Sequence, residues 1–188
     1  MSDYLNLSEL ILNEINTTLN GTNQQEIKVF ENEIIAANRI FFAGAGRTSL
    51  MIRSFAMRLM QLGLKVHVIG ETTTPSITEN DLLIIGSGSG GTESLCVMAQ
   101  KAKKIGAKIG LITIYPESVI GRLSDFRIVI PTTTSKVVSD ERKSVQPGGS
   151  TFEQSLLILC EVLVISISNR LKIDDWNKEI MLRHANLE

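Results

Sequence analysis

The chain has 188 residues, with 19 Lys and Arg against 20 Asp and Glu, a formal charge of −1 and 43% hydrophobic residues. That length supports one domain with a sizeable core, and the balanced charge, with no basic stripe interleaved with aromatics, argues against a nucleic-acid partner. No uninterrupted apolar run reaches the roughly 20 residues of a membrane span and no basic region precedes an apolar one at Met1-Ser2-Asp3, so a cytoplasmic protein without membrane contact is expected.

Leu7, Leu10, Ile11, Ile15 and Leu19 recur at helical spacing until Asn20-Gly21 stops the run. A second helix is predicted over 24–37, with Ile27, Phe30, Ile34 and Ile35 on one face. These helices precede any strand, and either a sheet or a partner subunit could cover them. Arg39 to Ala43 then reads as the first strand, followed by Gly44-Ala45-Gly46-Arg47-Thr48-Ser49 and a helix to about Leu62. Gly44 and Gly46 begin a dinucleotide fingerprint, but Ser49 stands at its sixth position. Lys65 to Ile69 alternates as a short strand carrying His67, which reads as a structural histidine. Gly70-Glu71-Thr72-Thr73-Thr74-Pro75 follows as a hydroxyl-rich loop, suited to a solvated turn or to contact with a polyhydroxylated substrate.

Leu82-Leu83-Ile84-Ile85 runs straight into Gly86-Ser87-Gly88-Ser89-Gly90-Gly91-Thr92, and helix-forming residues begin at once. Glycines allow consecutive N–H groups to line one concavity, and a helix N-terminus adds unpaired N–H groups and a positive dipole end. Ser87, Ser89 and Thr92 add hydroxyls. Gly86, Gly88 and Gly91 also spell G-x-G-x-x-G, but no acidic residue ends the next strand and no G-K-[ST] is present. One terminal phosphate fits this loop better than a dinucleotide; a flexible linker would not follow a buried strand without a gap.

Lys108 to Ile114 and Phe126 to Ile130 are the fourth and fifth strands. Alternating strands and helices with short turns predict an α/β three-layer sandwich, a five-stranded parallel sheet with helices on both faces. Ligands bind such sheets beyond the strands' carboxyl ends, where both glycine loops and the threonine stretches 72–74 and 132–134 converge. The polar stretch 132–149, with Asp140-Glu141-Arg142-Lys143, is predicted as a loop over the site or at a subunit contact. A helix apolar nearly all round runs from about Ser150 to Asn169 and is expected to be buried, partly by another subunit. A short amphipathic helix over 174–183 precedes His184 to Glu188. Cys96 and Cys160 read as free buried thiols, and the spacing of His, Cys and carboxylates predicts no metal.

With these pieces in place, the chain resembles the sugar isomerase (SIS) domain family, and within it the 6-phospho-3-hexuloisomerases. The resemblance rests on Gly44 to Thr48, Phe55 to Leu59, Gly70 to Pro75, Gly86 to Thr92, Gln146-Pro147, Gly149-Ser150, Phe152-Glu153-Gln154 and Arg183-His184-Ala185-Asn186-Leu187-Glu188. It spans nearly the whole chain as one domain, 1–188, with helices over 3–37 and 151–183 packing on the sheet or at subunit contacts. Thr48-Ser49 stands where Ser-Gly is usual, and Gly148 and Thr151 where bulkier apolar residues are usual. The resemblance implies interconversion of 3-hexulose 6-phosphate and fructose 6-phosphate in formaldehyde fixation by the ribulose monophosphate route, by a homotetramer without cofactor or metal.

That reaction needs a base at carbon, a donor near the oxygens and a grip on the phosphate. Gly46, Thr48, Ser87, Gly88, Ser89 and Thr92 are the expected phosphate seat. Arg47 is expected to meet enediolate or phosphate charge; a solvated surface arginine is its plainer reading. Glu153 is the candidate base, although Ser150-x-x-Glu153 also spells a capping box. His184, by the resemblance, is a candidate acid or ring-opening group, in its own or a neighbouring subunit's site. A phosphosugar sensor lacking the base and an aldose–ketose phosphosugar isomerase are the alternatives.

Overall fold

A computed structural model describes residues 4–132 and 144–187. Its elements are α1 (Tyr4–Asn20), α2 (Gln24–Ala36), β1 (Ile40–Gly44), α3 (Gly46–Gln61), β2 (Val66–Val68), β3 (Leu82–Gly86), α4 (Glu93–Ile105), β4 (Lys108–Thr113), α5 (Val119–Leu123), β5 (Phe126–Val129), α6 (Ser150–Arg170) and α7 (Trp176–Leu182). The strands form one sheet in the order β2-β1-β3-β4-β5, and every pairing is parallel.

Both faces of the sheet are covered, and its central strands β1 and β3 are accordingly apolar at successive positions rather than at alternate ones. Ile40, Phe42, Leu82, Ile84, Ile112 and Ile128 point to one face and pack with Phe30, Phe55, Leu59, Leu156 and Leu163. Phe41, Ala43, Leu83, Ile85, Ile109 and Leu111 point to the other and pack with Leu95, Ala99, Ala102 and Ile120. Helices α2, α3 and α6 therefore form one outer layer, and α4 and α5 the other. Asp81, at the start of β3, takes two bonds from Arg39, at 2.9 and 2.6 Å, and two from Thr78, at 2.7 and 2.8 Å. Burial drives the Asp81 carboxyl upward, but the Arg39 guanidinium and the Thr78 amide and hydroxyl outweigh it and hold it below the usual carboxylate range. This clamp lies at the amino end of the strands, the edge opposite the glycine loops.

Helix α5 was not predicted. It has five residues, too few to show a period, and is fixed by the Ser118 hydroxyl accepting from the Gly121 amide. Leu7 and Leu10 are exposed, because α1 packs on α6 only through its later turns, where Ile15 is buried. Helix α6 buries Phe152, Leu156, Leu159, Cys160, Leu163 and Ile167, but leaves Ile158, Val162 and Ile165 open. By length and composition α6 would also suffice to cross a membrane, which Glu153 and Glu161 hide from a count of uninterrupted apolar residues. Half of that stretch is buried in the fold, as in the core helix of a layered domain. Burial, with Glu161 nearby, pushes the Cys160 thiol up.

Candidate active site

The strand order reverses between β1 and β3, whose neighbours lie on opposite sides. That is the topological switch point, where ligands bind beyond the strands' carboxyl ends. Gly44 and Gly86 are register partners across this pair, so the two glycine loops leave the sheet side by side. A cleft of about 330 Å³ opens there, lined by residues of both loops, by Gly148 and Gly149, and by Phe152 and Glu153. The sequence-predicted Gly46, Arg47, Thr48, Ser87, Gly88, Ser89, Thr92 and Glu153 all line it.

The second loop is held from behind. The Gly88 carbonyl accepts from the Ile114 amide at 3.1 Å and from the Thr113 hydroxyl at 3.2 Å, and the Gly90 carbonyl accepts from the Ile120 amide at 3.0 Å. The Gly90 amide in turn donates to the Ser87 hydroxyl at 3.1 Å. Gly90 sits at φ +57°, and a Cβ there would collide with the Ser118 side chain. With its carbonyls engaged by β4 and α5, the loop leaves amides and hydroxyls for the cleft. Thr92 begins α4 without a side-chain bond to its own helix, so its hydroxyl and the first-turn N–H groups are available to an anion.

The opposite wall comes from the start of α6. The stretch before it is pinned by Thr151, whose buried hydroxyl lies 3.0 Å from Ser144 Oγ and 3.3 Å from Gln146 Nε2. Helix α6 begins at Ser150, and its cap is Gly149. The expected capping box is therefore not formed. Instead one Arg47 nitrogen, Nη1, donates to Ser150 Oγ at 2.9 Å and to Glu153 Oε2 at 2.8 Å. Glu153 is 14% exposed at its side chain, against 50% for Arg47. Ser150 is the residue whose contact the sequence reading missed: its spacing to Glu153 is visible in the sequence, which leaves helix capping and catalysis by Glu153 both open, but its bond to Arg47 is not.

His184 is not brought to this cleft. It is exposed, and its Nδ1 lies 3.1 Å from the carbonyl of Ala185. The preceding Arg183 donates to the Gln61 carbonyl at 3.2 Å, at the end of α3 away from the cleft. The 16 residues of α3 span ~24 Å at 1.5 Å per residue, which separates the two ends. The threonines at 72–74 do not line the cleft either: Thr74 closes its own turn on the Val68 carbonyl at 2.7 Å, and Glu71 pairs with Arg53 at 2.8 Å. His67 stacks on Phe41 with ring centroids 5.1 Å apart. Most of the 132–134 stretch, and all of Asp140 to Lys143, lie outside the described residues. Among the described residues, no three His, Cys, Asp or Glu side chains are grouped to hold a metal ion.

The family model described as the SIS domain matches residues 33–144. A 3-hexulose-6-phosphate isomerase from Bacillus subtilis is 40% identical, over 95% of both chains. One from Mycobacterium gastri is 39% identical, over 99% of this chain and 92% of its own. A crystal structure from Methanococcus jannaschii, described as inferring a 3-hexulose-6-phosphate isomerase function, superposes with a TM-score of 0.83 at 37% identity, covering 97% of this chain and 99% of that one. The chain thus belongs to the SIS domain family, within the group that contains the 3-hexulose-6-phosphate isomerases.

Proposed function

We propose that this protein is an isomerase that interconverts D-arabino-hex-3-ulose 6-phosphate and D-fructose 6-phosphate, in the ribulose monophosphate route of formaldehyde fixation. The observation that carries the reading is a carboxylate facing a glycine–serine anion seat across one cleft. A phosphosugar sensor would need the seat but not the carboxylate.

The phosphate binds the amides of Gly88, Ser89 and Thr92 and the hydroxyls of Ser87, Ser89 and Thr92, with Gly46 and Thr48 from the start of α3; the Ser87 amide itself is taken by the Ile112 carbonyl. Binding through this non-reacting group fixes the sugar carbons against Glu153. Glu153 takes the proton from C2 of the 3-ketose. The electrons of that C–H bond form the C2–C3 double bond, and the C3 oxygen gains the charge. Arg47 stabilises that charge. A proton passes from the C2 oxygen to the C3 oxygen, Glu153 returns its proton to C3, and the C2 carbonyl forms. No external oxidant or cofactor is required.

His184 serves the site of a neighbouring subunit, where it assists proton transfer or opening of the fructose ring. Its exposure and its distance from its own cleft support this placement, and the apolar residues left open on α1 and α6 support association, as a homotetramer. The protein works in the cytoplasm. The test is formation of fructose 6-phosphate from 3-hexulose 6-phosphate, beside a panel of other sugar phosphates. Turnover of the 3-ketose alone is expected; turnover only of an aldose phosphate would replace this reading.

A further inference from the structure

Ser150 is a buried hydroxyl at the first position of α6, 9% exposed, and it makes no bond to its own helix's first turn. Its side-chain partner is Arg47 Nη1. That nitrogen carries two hydrogens, and Ser150 and Glu153 Oε2 accept one each. The guanidinium has three further N–H groups, on Nε and Nη2, which no described protein group takes. Oε2 of Glu153 is thus committed to Arg47. Oε1 faces the cleft wall at Gly149, 3.8 Å from where a Cβ on that residue would stand, and accepts no hydrogen bond from another described group.

We infer that Ser150 is a positioning residue for the isomerisation: it anchors Arg47, so that one Arg47 nitrogen holds Glu153 by Oε2 and leaves Oε1 to exchange the proton with carbon. The inference rests on the reading of Glu153 as the base. Without the serine, Nη1 loses one of its two acceptors and the guanidinium is free to turn about its long side chain. The carboxylate then samples orientations in which neither oxygen meets the C2–H bond. A shift of an ångström in such a group is enough to slow proton transfer strongly. Ser87, Gly88, Ser89 and Thr92 of the phosphate seat lie between β3 and α4, on the chain segment that neither Ser150 nor Arg47 belongs to.

The chemistry gives Ser150 a signature that a structural serine lacks. In Ser150→Ala, kcat is expected to fall about 10- to 100-fold with KM within about twofold of the parent. The kinetic isotope effect with substrate deuterated at C2 should rise, because proton transfer becomes more fully rate-limiting. Ser150→Thr, which keeps the hydroxyl, should recover most of the rate. The parent protein is assayed alongside. If the parent does not isomerise the 3-ketose, the functional reading itself fails, and the inference with it. If the parent is active and Ser150→Ala equals it in kcat and isotope effect, the inference alone is overturned. A Ser150→Ala rate loss with an unchanged isotope effect, matched by a lower folded fraction, would also overturn it, by assigning the serine to folding.

Discussion

Arg47 and Glu153 are 106 residues apart in sequence, yet Arg47 Nη1 lies 2.8 Å from Glu153 Oε2. The pair ties the first turn of α3 to the first turn of the long core helix, across the mouth of the cleft. One partner is largely buried and the other half exposed, so the carboxylate is fixed while the guanidinium keeps a face toward incoming substrate.

Replacing Glu153 by Gln removes the proton acceptor at nearly constant shape. Because α6 is capped by Gly149 and not by this side chain, the helix start should survive. Turnover is expected to fall by about 10³-fold, within the range for loss of a general base. Titration calorimetry should still detect fructose 6-phosphate binding. Activity within threefold of the parent would remove Glu153 from the mechanism.

Gly90 tests the phosphate seat. Alanine there needs φ +57° and space held by Ser118, so the loop must move. Expected results are a rise in KM of at least tenfold and a stability loss of about 1–3 kcal/mol, read by substrate titration and by urea unfolding. An unchanged KM would show that the loop does not hold the phosphate.

The mixed-subunit experiment tests His184. Glu153→Gln and His184→Ala chains are each expected to be slow alone. Unfolded together and refolded, they should form some sites with Glu153 from one chain and His184 from the other, and activity should return. No recovery in verified mixed oligomers would count against a shared site.

Asp81 offers a control at the far edge of the sheet. Its side chain is fully buried against a partly exposed Arg39. Asp81→Asn should cost about 2–3 kcal/mol of stability at neutral pH, in line with breaking a buried pair, while kcat of the folded protein stays the same. Because the folded carboxyl titrates below its unfolded counterpart, the clamp contributes fully above the unfolded pKa of about 3.9 and is lost as pH falls through the folded value. Acid unfolding of the parent should therefore be steeper than that of the variant. Equal profiles would contradict the clamp.

Much of this is legible in the sequence, because the two central strands are apolar without interruption and both end in a glycine. Leu82 to Ile85 followed by Gly86 could only be a buried strand feeding a turn, and the parallel sheet followed from the helices between strands. What sequence could not give was the outcome of a competition for one group. Ser150 and Glu153 have the spacing of a capping box, but an arginine from the first turn of a helix distant in sequence takes both side chains. Helix α5 escaped because five residues carry no period. Leu7 and Leu10 repeat at helical spacing like core residues, although in one chain they face outward. Spacing shows that a face is apolar, not which surface covers it. His184 was carried only by resemblance, and its own sequence neighbourhood gives no hint of where it acts.

Deuterium exchange into fructose 6-phosphate tests the central claim most directly. Incubated in D₂O and followed by proton NMR, the parent protein should exchange the hydrogen at C3, and Glu153→Gln should not. Exchange at C1 would instead mark an aldose–ketose isomerase, and exchange at neither carbon a binding protein; either result would contradict the account.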